Sequence, residues 1–108
     1  MSSVHDDPVL RAFLAHLGAA RGRIQRIILF GSRARGDEKP FSDYDLLLVV
    51  HEREPDLMAA IHDAVMDALM ATCRLVSPKV FRRRDFDRLA SLPTPFFANV
   101  LMEGIAIG

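Results

Sequence analysis

The chain has no tryptophan, one tyrosine and one cysteine among its 108 residues. A single cysteine excludes an intramolecular disulfide, and Cys73, set in an apolar pattern, reads as a small buried hydrophobe rather than a nucleophile. Neither sign of charge is in excess: 14 Lys and Arg balance 14 Asp and Glu. That balance argues against a nucleic-acid binder, whose affinity comes from surplus basic side chains. The one basic cluster, Arg82-Arg83-Arg84, is followed at once by Asp85 and Asp87 and reads as a solvated helix start. No apolar run approaches the ~20 residues that cross a bilayer, and Met1 to Pro8 lacks the basic and apolar regions of a secretion signal. The expectation is a cytoplasmic protein without a membrane partner. The histidines His5, His16, His51 and His62 are scattered, and no pair has zinc-ligand spacing.

What is present is the composition of an ordinary globular domain, 50% apolar and 26% charged. Residues 1–108 are expected to form one domain, large enough to bury a core without disulfides or a structural metal. Asp7-Pro8 starts a helix, with Asp as cap and Pro at the first helical position. Val9, Leu10, Phe13, Leu14 and Leu17 follow at helical spacing, closed by Gly18 or Gly22. Ile24 to Phe30 reads as a strand running into the turn Gly31 to Gly36, and Asp37 to Pro40 as a loop. Tyr44 to His51 is a second strand, whose run Leu46 to Val50 suits burial on both faces. Pro55 to Thr72 is a helix, with Leu57, Ile61, Val65 and Leu69 on one side. Arg74 to Phe81 is a third strand, which Pro78 consigns to a sheet edge. Asp85 to Ala90 and Pro95 to Glu103 are short helices, and Ile105 to Ile107 a last strand. The order predicts an α/β (α+β) fold, one small mixed sheet flanked by helices.

Chemistry concentrates at two places. A strand ending in Gly31-Ser32 and turning at once gathers small residues and unpaired backbone N–H groups, which suits phosphate. Asp43 and Asp45 stand two apart at the start of the next strand, so both carboxylates face one way. Their mutual repulsion favours a cation, and Mg²⁺ prefers a couple of carboxylates together with phosphate oxygens and water. Arg33 and Arg35 are candidate phosphate partners, because guanidinium binds such groups bidentately.

Gly31-Ser32, ten intervening residues and then Asp43-x-Asp45 is similar to the signature of the polymerase-beta-like nucleotidyltransferase superfamily. The string GSRARG…SDYDLLLVV resembles its minimal nucleotidyltransferase branch, and Pro95-Phe96-Phe97…Asn99-Val100-Leu101…Glu103-Gly104 resembles the closing segment of small members. The resemblance implies a nucleoside triphosphate, ATP first among them, with Gly31 and Ser32 near its outer phosphates. It implies Asp43 and Asp45 as catalytic metal ligands for two Mg²⁺ ions, and transfer of a nucleoside monophosphate to a hydroxyl on a macromolecule. It also suggests a HEPN-type helical protein as partner, in a toxin–antitoxin pair. A second copy of the chain is a further partner open at this point, through Phe96, Phe97 and Val100. Active members carry a third carboxylate on a later strand. Here Ser77 stands at its place and Lys79 shares its face. A hydroxyl does not replace an anionic ligand or base at neutral pH. The alternative is therefore a catalytically weakened antitoxin or regulator that binds nucleotide or a partner.

Overall fold

The computed structural model describes residues 6–36, 39 and 42–108. Asp37, Glu38 and Pro40 of the expected loop, and His5, lie outside the described residues. Helix α1, Pro8–Leu17, is capped by Asp7, whose Oδ1 accepts from the amides of Val9 and Leu10. A 3-10 turn, Gly18–Arg23, leads into β1, Ile24–Phe30. The short α2, Ser32–Arg35, ends at Gly36. Then come β2, Tyr44–Val50, and α3, Pro55–Thr72. β3, Val76–Arg82, runs into α4, Arg83–Ala90. α5, Pro95–Glu103, and β4, Ile105–Ala106, complete the order. The prolines at positions 8, 55 and 95 all sit in a first helical turn, where a missing N–H costs nothing.

The four strands form one sheet in the order β3-β2-β1-β4. β1 pairs antiparallel with β2 and β4, whereas β2 and β3 run parallel. The fold is thus a mixed α/β sheet with helices on both faces. Leu46 to Val50 have no exposed surface, because β2 is central and covered on either side. Leu46, Leu48 and Val50 pack with α1 and α3 around Phe13. Leu47 and Val49 pack with Phe86 of α4 and Phe97 and Val100 of α5.

β3 occupies a sheet edge, where Pro78 forfeits no ladder bond. Its start differs from the expected Arg74: parallel pairing with β2 begins at Tyr44 opposite Val76, and Leu75 lies outside the ladder, its carbonyl accepting from the Tyr44 amide. α4 begins two residues before Asp85. Arg82 Nε binds Asp85 at 2.6 Å, Arg83 pairs with Asp87 and Arg84 with Glu52, so this basic cluster is neutralised at the helix start. Cys73 corrects the expectation of a buried thiol. It is exposed, because α3 stops at Thr72 and Cys73 caps it in a left-handed conformation, φ 58°, which turns the residue off the helix's apolar face.

Candidate active site

The site forms where β1 and β2 lie side by side. Antiparallel register places Phe30, the last residue of β1, opposite Asp45, so the next residue, Gly31, arrives against the Asp45 side chain. A Cβ on Gly31 would lie 2.6 Å from Asp45 Oδ2. Gly31 also has φ 78°, a conformation that side chains with a Cβ rarely adopt. Space and backbone angle both demand glycine here. The turn beyond it is closed by the Gly31 carbonyl, which accepts from the amides of Ala34 and Arg35. The amides of Ser32 and Arg33 come too early in the turn to find a carbonyl within it.

Asp45 is half-buried in β2, and Asp43 is exposed just ahead of the strand. Burial pushes the Asp45 carboxyl above its ordinary pKa; Lys79 pulls it back down, and the Asp43 charge adds to the rise. The two carboxylates therefore sense each other, which is the condition that a divalent cation relieves. Across the parallel pair, Ser77 stands directly beside Asp45. Among the described residues no third Asp, Glu, His or Cys joins the pair in a metal-sized group.

The two arginines are placed differently. Arg33 directs Nε and Nη2 onto the Ser42 carbonyl at 3.0 and 2.9 Å, and its guanidinium lies 3.9 Å over the Tyr44 ring. The Tyr44 hydroxyl donates to Asp7 Oδ2 at 2.8 Å. Burial and that bond raise the hydroxyl's pKa to about 12. Arg33 thus grips both neighbours of Asp43, and α1's cap holds the far end of the chain of contacts. Its Nε and Nη2 are thus engaged by the carbonyl just ahead of Asp43. Arg35 pairs with Glu103 of α5 at 3.4 Å. It lines a cleft of about 210 Å³ with Phe30, Gly31, Phe96, Asn99 and Glu103. Phe96 closes edge-on against Phe30 at 5.5 Å. Gly31, Ser32, Asp43, Asp45 and Arg35 are brought together around the end of β1.

Sequence reading missed the Asp7–Tyr44–Arg33 chain. The available signal was the chain's single tyrosine lying between two acids. A larger hollow, about 600 Å³, is lined by Glu52, Arg53, Arg82, Asp85 and Arg88. It lies toward the opposite end of β2 and β3, and much of its charge is consumed in the Arg82–Asp85 and Arg88–Asp85 pairs.

Comparison with known proteins bears on this arrangement. The family model described as Polymerase beta, Nucleotidyltransferase matches residues 14–108. A Methanocaldococcus jannaschii protein, provisionally named a protein adenylyltransferase, is 45% identical over 47 residues, 43% of this chain and 47% of that relative. The match therefore spans less than half of the curated relative's length. Among solved structures, a toxin–antitoxin with AMP-PNP aligns over 98% of this chain and 73% of its own, with TM-score 0.59 and 17% identity. A mutant of the toxin–antitoxin MntA-HpeT aligns over 93% and 69%, with TM-score 0.53 and 15% identity. At those identities the structural likeness is one of fold. The family match covers most of the sequence, from within α1 through β4: the chain belongs to the polymerase beta nucleotidyltransferase family.

Proposed function

We propose that this domain binds a Mg²⁺–nucleoside triphosphate, ATP first among them, and transfers its nucleoside monophosphate to a hydroxyl on a macromolecular acceptor. The observation that carries the reading is the contact of Gly31 with Asp45, which leaves no room for a Cβ between the small-residue turn and the acidic strand. Gly31 and Ser32 receive the outer phosphates, and Arg35, at the rim of the adjoining cleft, adds positive charge. Asp43 and Asp45 would hold Mg²⁺, which when bound withdraws charge from the phosphate oxygens. The acceptor oxygen bonds to the α-phosphorus as the bond to pyrophosphate breaks, and the acceptor's proton passes to solvent. Arg33 and Tyr44 keep Asp43 and Asp45 in register throughout.

The acceptor is proposed to be a protein partner, and the HEPN-type helical toxin suggested by the family resemblance is the reading we favour, with this chain as antitoxin. The toxin–antitoxin neighbours are consistent with that pairing. Incubating the domain with Mg²⁺, α-labelled ATP and host lysate tests the transfer. Label should appear on a macromolecule and vanish with Asp45→Asn. Equal labelling by wild type and variant refutes the proposal.

One observation favours a second reading. With Ser77 beside Asp45, β3 offers a hydroxyl where a base would serve, and losing a general base costs roughly 10²–10⁴ in rate. The domain then binds Mg²⁺–ATP as a regulatory module without turnover. Calorimetric binding with no pyrophosphate release supports that version, and release far above the Asp43→Asn background excludes it.

A further inference from the structure

β3 flanks the acidic strand along its whole length, yet the reading above gives it no task. Its register sets Ser77 beside Asp45 and Lys79 beside Leu47. Side chains two apart on a strand share a face, so Ser77 and Lys79 both project on the face of Asp45. Adjacent strands lie about 4.8 Å apart and two residues along a strand span about 6.6 Å, a diagonal that a lysine's flexible four-carbon stem reaches across for most of its length. The ammonium can therefore stand over Ser77, next to the Asp45 carboxylate.

Two further observations bear on Lys79. It is exposed. Among the described residues it forms no hydrogen bond or ion pair, whereas Arg23, Arg82, Arg83, Arg84 and Arg88 all have carboxylate partners. Lys79 is therefore a cation beside the two carboxylates that no short ion pair holds in place, so its ammonium can reach an anion bound there. The donor set also suits one Mg²⁺ better than two. One or two carboxylates plus phosphate oxygens and water satisfy a single ion. A second ion on the β3 side would have a neutral hydroxyl as protein ligand and an ammonium within a few ångströms, a repulsion that a half-buried site screens poorly.

We infer that Lys79 is a nucleotide-facing residue, its ammonium holding phosphate oxygens in the corner beside Ser77, and that the site takes a nucleoside triphosphate with one divalent cation rather than two. The inference rests on the nucleotide reading above.

The test is Mn²⁺ titration of the full chain with equimolar AMP-PNP, free Mn²⁺ being read by electron paramagnetic resonance and AMP-PNP affinity by calorimetry. Wild type should saturate at one Mn²⁺ per chain. Lys79→Met should weaken AMP-PNP about tenfold, the loss of one charge-assisted hydrogen bond, and Lys79→Arg should recover most of it. The double variant Ser77→Asp/Lys79→Met should load a second Mn²⁺. Two Mn²⁺ on the wild type, unchanged affinity in Lys79→Met, or a folded double variant that stays at one would each overturn the inference. Lys79 is exposed, so its single variants test the point even where the double variant does not fold. A wild-type chain that binds neither Mn²⁺ nor AMP-PNP refutes the nucleotide reading itself, and this inference with it, before any variant is made.

Discussion

At Gly31 two independent demands meet in one residue. Its φ of 78° disfavours any Cβ, and the space a Cβ would take is filled by Asp45 Oδ2. Gly31→Ala should therefore cost about 1–3 kcal/mol of stability and displace the Asp45 carboxylate. The expected outcome is a lower denaturant midpoint together with loss of Mg²⁺-dependent ATP binding. Asp45 itself costs the fold stability once it is charged. Its folded pKa is raised, so the folded state keeps the proton longer than the unfolded chain does. Stability then falls as pH climbs through and above the ordinary carboxylate range, and the penalty is fully present at neutral pH. Asp45→Asn should raise Tm at pH 7, lose that advantage near pH 3, and abolish divalent-cation binding. A Tm below wild type at pH 7 would contradict the argument.

Between elements, the contacts that set the acidic loop run from α1 to β2 through Asp7, Tyr44 and Arg33. Arg33→Lys keeps the charge but cannot present two parallel donors to the Ser42 carbonyl or a flat face to Tyr44. Lys should therefore behave like Ala, with several-fold weaker Mg²⁺–ATP binding; rescue by Lys would show that only charge matters. Tyr44 gives a pH signature. Its raised pKa of about 12 means that the stability from the Asp7 bond is complete below the usual tyrosine value near 10 and is lost as pH rises toward 12. Because Tyr44 is the only tyrosine, its ultraviolet ionisation reads the event directly. Tyr44→Phe should cost about 1 kcal/mol at neutral pH and remove this part of the alkaline decline. The elements themselves were largely legible beforehand. Asp7-Pro8, Pro55 and Pro95 announce helix starts through local chemistry, and Pro78 announces an edge. The Asp7–Tyr44–Arg33 chain was not legible, because it joins residues up to 37 positions apart and local periodicity carries no information about such pairs. Cys73 misled for a related reason: the apolar pattern around it is real, but Cys73 is the cap that follows Thr72, and a cap residue does not inherit its helix's buried face.

For the molecule as a whole, the sheet divides the core unequally. Among the described residues, the layer with α1 and α3 holds eighteen buried ones, and the layer with α4 and α5 holds six. The candidate site lies on the smaller layer's side: Phe30, opposite Asp45 in register, packs against that layer, and α5 supplies Phe96, Asn99 and Glu103 to the cleft at Gly31. Less buried apolar surface means a lower free energy of local opening, so α5 should exchange its amide hydrogens faster than β2 or α3 under native conditions. The same asymmetry separates two otherwise alike substitutions. Phe13 has no exposed surface in the larger layer, and Phe97 anchors the smaller one through edge contacts with Phe81, Phe86 and Phe96. Either change to Ala removes about 3–5 kcal/mol, a large share of a domain's usual 5–15. Phe13→Ala should lower protection across the whole sheet together. Phe97→Ala should release α4 and α5 while β1 and β2 stay protected, and should weaken ATP binding through loss of the cleft at temperatures where the sheet is still folded. Hydrogen exchange followed by mass spectrometry distinguishes the two patterns, and uniform loss of protection in both variants would mean that the layers unfold as one.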